Sequence, residues 1–326
     1  MKVFLHIGSH KTATTAIQSV ASRESDSFRQ QGLLYPSYDL IGGSREQSHL
    51  RTVERLLKKA EPSVTNRPDA LFAEARRIAT LEGLNILLSA ESLFRLPAER
   101  VPAVARILRD AFPGAGFVVV CSLRPRAEFA ESMYRNAYRV YRNVPAIFVD
   151  WMVQSGRLFD YETILNSYVT ALDAERLVLP YSRATRPEFV PQFFRALQVD
   201  LPQSSVPAKK NPSIGAVDCL AKRIVMGSTC DPEISKRFNN FAGQHPLLET
   251  ADYGFLDRTV EGGFLAGFRD SDARMIAADP GLEQVLGVTV ERLNADPLDE
   301  RAHELATSRA ADFAKRQTRK PAAVAS

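Results

Sequence analysis

Eight consecutive residues near the N-terminus, Gly8-Ser9-His10-Lys11-Thr12-Ala13-Thr14-Thr15, gather one lysine ammonium and three threonine hydroxyls. They follow a short apolar run, Val3 to Ile7, and precede a helical stretch. A loop between a strand and a helix can turn its N–H groups toward the helix N-terminus, where the helix dipole favours an anion. Lys11 adds a point charge, and Thr12, Thr14 and Thr15 add hydroxyl donors. The chemistry this suits is the holding of a phosphate or a group like it. A plain polar turn with threonine caps is the competing reading. The closeness of one lysine to several threonines argues against it. The loop is not a Walker A motif, which places a glycine immediately before the lysine. His10 stands there instead, so a kinase or ATPase is the weaker alternative.

A second group lies at Cys121-Ser122-Leu123-Arg124-Pro125-Arg126 and runs on to Ser132 and Tyr134. Arg124 ends a Val-rich run, and Pro125 suits the first position of a helix. Ser132 then falls about two helical turns in. A guanidinium can grip a phosphate with two parallel bonds. Alone, this arginine reads equally well as a cap or a surface ion pair. A third basic segment, Lys209-Lys210-Asn211-Pro212-Ser213, competes with the reading of a solvated lysine pair in a loop.

Two residues are candidates for a general base. Glu91 follows the apolar run Asn85–Ser89 directly and so lies at a strand's C-terminal end; the competing reading is an acid at a helix start. His49 follows the Gly42-Gly43 loop and is the rival, although a lone histidine is more often structural. His10 is expected to face away from Lys11 and orient the loop, and His6 to be packed in its strand. Tyr134, Tyr138, Arg139, Tyr141 and Arg142 interleave aromatics with bases, a pattern that is more often packing than a sugar platform.

The elements that must position these residues alternate. Strands are expected at Val3 to Ile7, Leu33 to Tyr35, Asn85 to Ser89, Gly116 to Ser122 and Leu177 to Pro180. Helices are expected from Thr14 to about Gln31, at His49–Ala60, Asp69–Leu81 and Pro102 to Phe112, from Pro125 to about Arg142, and after Pro187. Tyr38 to Ser48 reads as a mobile loop. Alternation of this kind implies an α/β fold with a mostly parallel sheet covered on both faces. Ligands in such folds bind at the C-terminal ends of strands, and both strong motifs fall there. One α/β domain is expected over residues 1–314, its last third mainly helical, with a flexible tail at 315–326.

The run Leu5-His6-Ile7-Gly8-Ser9-His10-Lys11-Thr12-Ala13-Thr14-Thr15 resembles the 5′-phosphosulfate loop of the sulfotransferases that use 3′-phosphoadenosine-5′-phosphosulfate (PAPS). It is most similar to the bacterial branch, where the loop commonly reads His-Lys-Thr-Gly-Thr-Thr. Arg124 and Ser132 match the spacing of that family's 3′-phosphate site, and Lys210 matches a late basic loop by place and chemistry only. The resemblance covers the chain through about Arg142. It implies a three-layer, P-loop-like sandwich. It also implies a cofactor site for PAPS made by Gly8, His10, Lys11, Thr12, Ala13, Thr14, Thr15, Arg124, Ser132 and Lys210. The implied reaction moves a sulfuryl group to an acceptor hydroxyl on a carbohydrate, glycolipid or small molecule, with Lys11 stabilising the leaving group and Glu91 or His49 as base. No metal is expected, because a sulfuryl group carries less charge than a phosphoryl group. The departure is Ala13, where the family usually has glycine. If that position needs a positive φ, alanine costs about 1 kcal/mol. A non-catalytic protein of the same fold that holds nucleotide or glycan is the alternative from another class.

Composition sets outer bounds. With 326 residues and 45% hydrophobic content the chain can bury a substantial core. A net charge of +4 suits a polyanionic small molecule and is too weak and too evenly spread to argue for nucleic acid. Three cysteines, Cys121, Cys219 and Cys230, are widely spaced with no CxxC, so neither a disulfide framework nor a zinc site is expected. The first apolar run is too short for a signal peptide and no stretch approaches a membrane span; a cytoplasmic location is expected.

Overall fold

The computed structural model describes residues 1–43, 48–49, 67–140, 148–182, 184–202, 215–227, 231–245, 247, 253–255, 263–287, 296–297 and 300–318. The chain divides into two compact units. One comprises Met1–Pro125, Arg157–Lys210 and Asp270–Gly287, the other Arg126–Gly156, Asn211–Arg269 and Val288–Ser326.

In chain order the elements are β1 (Lys2–Gly8), α1 (Thr14–Arg23), α2 (Ser25–Gln30), β2 (Leu33–Leu34), α3 (Pro68–Glu82), β3 (Asn85–Ser89), α4 (Val101–Ala111), β4 (Gly116–Leu123), α5 (Arg126–Val140) and α6 (Phe148–Gln154). There follow α7 (Tyr161–Leu172), β5 (Glu175–Pro180), α8 (Phe189–Ala196), α9 (Ala216–Met226), α10 (Pro232–Gln244), β6 (Tyr253–Gly254), α11 (Arg269–Ala278), α12 (Glu283–Leu286), β7 (Asp296–Pro297) and α13 (Glu300–Thr318).

The first unit is a three-layer α/β sandwich around a five-stranded sheet of order β2-β3-β1-β4-β5. Every pairing is parallel: Val3 lies opposite Ile86 and Phe117, and Val120 opposite Leu177. The strands are apolar on both faces because helices cover both. Period-two alternation sorts the side chains. Phe4, Leu87, Val118 and Val120 pack with Ile17, Val20 and Phe28 of α1 and α2 and with Phe193 and Phe194 of α8. Val3, Leu5, Ile86, Leu88 and Val119 belong to the opposite parity and are equally buried. On that parity's side α4 and α7 pack together, and α7 also packs on β4.

The helix expected from Thr14 to Gln31 is two helices. It breaks at Glu24, whose ψ of 17° leaves the helical range, and the chain re-enters a helix at Ser25. Residues 38–41 form a 3₁₀ turn closed by Gly42 at φ 78°, inside the segment expected to be loop. The expected helix at 49–60 lies almost wholly outside the described residues, as do Tyr141, Arg142, Lys209, Lys210 and Cys230.

Among its described residues the second unit's regular elements are helices, apart from the two-residue pairing of β6 with β7. Ala302, Ala306, Ala310 and Phe313 are buried on α13, which packs along α9. Arg309 donates to Asp218 at 2.9 Å and also to the His245 carbonyl. Tyr134 and Tyr138 of α5 are buried, and Tyr134 lies edge-on to Phe148 and Phe255. Packing, the bland reading, is therefore what these tyrosines do. Lys222 is buried too, donating to the Tyr138 carbonyl and to Asn239; burial pushes its ammonium down to about 8. Cys121 and Cys219 are free thiols, and burial pushes both up. No described helix is long and apolar enough to cross a membrane.

Candidate anion-binding site

The centre of the sheet positions the loop. β1 runs between β3 and β4, and its pairing with β4 slips by one residue between His6 and Gly8. Ser9 then anchors the turn to β4 twice, its N–H and its hydroxyl both donating to the Ser122 carbonyl at 3.0 and 2.9 Å. Gly8 has φ 113°, a conformation open to glycine and strained for any side chain. A Cβ added there would stand 3.5 Å from the Cα and carbonyl oxygen of Glu91.

Residues 8–15 close into a compact turn. Thr12 and Thr14 both donate to the Ser9 carbonyl, at 2.7 and 3.2 Å. Their hydroxyls, expected as ligand donors, thus brace the loop from inside and are buried, while Thr15 is exposed. Ala13 is the N-cap of α1, with φ 60° and ψ 16°. The position where alanine replaces the expected glycine is therefore left-handed, and Ala13 bears the strain. Its methyl packs against the core cluster of α1, α2 and α8, which offsets part of that cost. The cap makes no side-chain hydrogen bond, and no acidic residue sits in the first turn of α1. First-turn N–H groups without such partners, at the positive end of a ten-residue helix, form the setting in which anions bind.

β4 delivers the second motif beside the first. The Arg124 guanidinium donates to the Lys11 carbonyl at 3.4 Å. The Arg124 carbonyl in turn accepts from the Tyr161 hydroxyl at 3.0 Å. The guanidinium carbon of Arg124 is 5.9 Å from the Tyr181 ring centroid, and that of Arg186 is 5.5 Å from the same ring. Sequence reasoning missed Tyr181 and Arg186. The usable signal was that both follow β5 at a strand's C-terminal end. Ser132 is half-buried on α5 and belongs to the second unit; Lys210 is outside the described residues.

β3 brings Glu91 to the loop. The Ala90 N–H donates to the His6 carbonyl at 3.0 Å, extending the β1–β3 ladder by one bond. Glu91 opens the next turn with its carboxylate 3.6 Å from His10 Nδ1. Burial pushes the carboxyl up. The His10 imidazole, the His6 imidazole and the Thr14 hydroxyl together outweigh it, so the net position is below the usual carboxylate range. Glu91 is therefore ionised at neutral pH.

His49 has a different job from that expected of a base. Its Nδ1 accepts from the Ser89 N–H at 3.0 Å, which fixes the proton on Nε2, and Nε2 donates to the Pro36 carbonyl at 2.7 Å. Its own N–H donates to the Ser89 carbonyl at 2.9 Å. Burial pushes the ring down to about 4. Both nitrogens are occupied by backbone, so His49 pins the end of β3 and has none left to take a substrate proton. Ser89 is the hub of this knot: its hydroxyl meets His6 Nδ1 at 2.9 Å and accepts from Gln18 at 3.1 Å. His6 is fully buried, as expected, and is pushed down to about 4.

Fold and site together define a three-layer α/β protein whose lysine- and threonine-bearing turn lies at the C-terminal edge of a parallel sheet, before an uncapped helix. No protein-family model matches the chain, nor does any curated protein. Among the described residues no group of three or more His, Cys, Asp or Glu side chains could hold a metal ion.

Proposed function

We propose that this protein is a PAPS-dependent sulfotransferase acting on an acceptor hydroxyl, its acceptor being a carbohydrate, glycolipid or small molecule. The observation that carries the reading is the meeting of two loops from adjacent parallel strands. Arg124, at the end of β4, reaches the backbone of Lys11 in the turn after β1, at 3.4 Å, beside an uncapped helix N-terminus. A donor with phosphate groups at two ends of one nucleotide matches such a pair of cationic positions. In this reading the loop and α1 hold the phosphosulfate and Arg124 holds the 3′-phosphate.

Glu91 takes the acceptor proton as the new O–S bond forms. The S–O bond to the nucleotide breaks, and its electron pair stays on the phosphate oxygen, where Lys11 balances the growing charge. The ionised state of Glu91 fits a base and not an acid. Its lowered pKa also makes it a weak base, which suits a transfer in which bond breaking runs ahead of proton removal.

Calorimetric titration tests the reading, with 3′,5′-adenosine bisphosphate against AMP and ATP. Tight binding of the bisphosphate without metal, and weak binding of AMP, is the expected result. Binding of ATP that needs magnesium, with none of the bisphosphate, would make the protein a nucleotide phosphotransferase instead. Bisphosphate binding with no turnover over a broad acceptor panel would make it a binding protein.

A further inference from the structure

We propose that His10 is a positioning residue that ties the carboxylate of Glu91 to the donor loop, so that loop and base shift together. The role given to Glu91 rests on the sulfuryl-transfer reading; the contact itself rests on geometry alone.

Residues 6–10 and 90–91 come together at three points. The His10 Nδ1 is 3.6 Å from Glu91 Oε1. Gly8 lies so close that a Cβ there would touch the Glu91 backbone at 3.5 Å. The Ala90 N–H is bonded to the His6 carbonyl just upstream, at 3.0 Å. The other ring nitrogen of His10, Nε2, is buried and meets no hydrogen-bond partner among the described residues. The polar contact of this ring is therefore through Nδ1, toward Glu91. The imidazole is 15% exposed and the carboxylate 35%, so His10 holds Glu91 from the inside while the carboxylate keeps an open side for an acceptor.

A second contact makes this a coupling and not a lone ion pair. Glu91 meets two successive pieces of chain, Gly8 at the end of β1 through its backbone and His10 of the loop through its carboxylate. Thr14 braces the loop through the Ser9 carbonyl. A loop that adjusts when a donor enters must therefore carry the environment of Glu91 with it. A structural histidine that merely filled space would leave the protonation of Glu91 unchanged when replaced.

The test follows the Glu91 side-chain carboxyl by carbon-13 NMR, using Glu91→Gln to identify its signal. The wild type, His10→Ala and His10→Asn are titrated with and without saturating 3′,5′-adenosine bisphosphate. The Glu91 midpoint should rise in His10→Ala and rise less in His10→Asn, whose amide can still donate and whose loop is the less disturbed. Bisphosphate should displace the Glu91 signal in the wild type and much less in His10→Ala. Release of bisphosphate from PAPS with water as acceptor should fall by about tenfold in kcat in His10→Ala, with a smaller change in KM. A Glu91 midpoint equal in all three proteins overturns the proposal, and so does a bisphosphate response that survives intact in His10→Ala. If the bisphosphate binds none of them, the donor assignment fails, while the midpoints still decide whether His10 holds Glu91.

Discussion

Behind β3, His49 gives both ring nitrogens to backbone, and Ser89, His6 and Gln18 complete a buried knot. In front of it, between β1 and α1, His10 faces a half-exposed carboxylate, and Lys11 and Ala13 both adopt positive φ. The two regions are neighbours built from the same residue types. In the knot polar groups are paired with each other and fix the strand end. In the loop they are braced from inside by Ser9, and the strained backbone presents a helix N-terminus outward. The two regions thus share β1, which carries His6 into the knot and leads directly into the loop.

Acid should break the knot first, and this is the largest effect expected. His6 and His49 are both held neutral with values near 4, against 6.5 in the unfolded chain. As pH falls from 6.5 toward 4, the unfolded chain takes up protons that the fold refuses, so stability falls with falling pH. At pH 5 the loss should be about 2 kcal/mol per histidine relative to neutral pH. Glu91, whose carboxyl is depressed, pushes in the same direction at lower pH. Urea unfolding at pH 7 and pH 5 measures this; equal stabilities would show that the two rings are not buried neutral.

The loop should fail by losing turnover while the fold survives. Lys11→Ala is expected to lower kcat by about 100- to 1000-fold with the unfolding midpoint unchanged. Wild-type turnover in that variant would remove Lys11 from the chemistry. Arg124→Ala should weaken 3′,5′-adenosine bisphosphate binding by about 10- to 100-fold and AMP binding far less, as calorimetry would show. Equal losses for both ligands would mean that Arg124 only supports the loop through the Lys11 carbonyl. The smallest effect sharpens the boundary between the regions. Ala13→Gly relieves a left-handed alanine and should stabilise the protein by about 1 kcal/mol in urea unfolding. A loss of stability would mean that the packed methyl outweighs the strain.

Much of this was legible because local pattern and local chemistry agreed. The runs at Asn85–Ser89 and Gly116 onward are strands because β-branched and apolar residues occur there without interruption, and a parallel sheet buries both faces. Lys11 and Arg124 could be placed at one site in advance because each lies in the loop that follows the C-terminal end of a strand of that sheet. Glu91 was placed beside the loop by the same reasoning. What sequence could not supply was orientation. Nothing in the order of residues says that Thr12 and Thr14 turn back to the Ser9 carbonyl. Nor does it say that His49 meets backbone at both nitrogens, or that His10 reaches Glu91 across strands. Arg186 and Tyr181 went unseen because β5 leads into them without any motif. The break at Glu24 was hidden because a helix can re-form one residue later on the same apolar face.

The central place of β1 has a consequence for how the protein is made. Its neighbours in the sheet start at Asn85 and Gly116, so β1 waits for β3 before it has any ladder and for β4 before its second edge is paired. Pairings over such sequence distances close slowly, because the loop entropy is lost before the contacts form. During synthesis one edge of the run Val3 to Ile7 stays unpaired until β4 has emerged, and Ser9 finds its anchor on Ser122 only then. The earliest strand of the sheet in chain order is thus among the last to have both its edges paired. Chains stalled or cleaved before β4 would therefore present the unpaired second edge of β1 to chaperones and to one another.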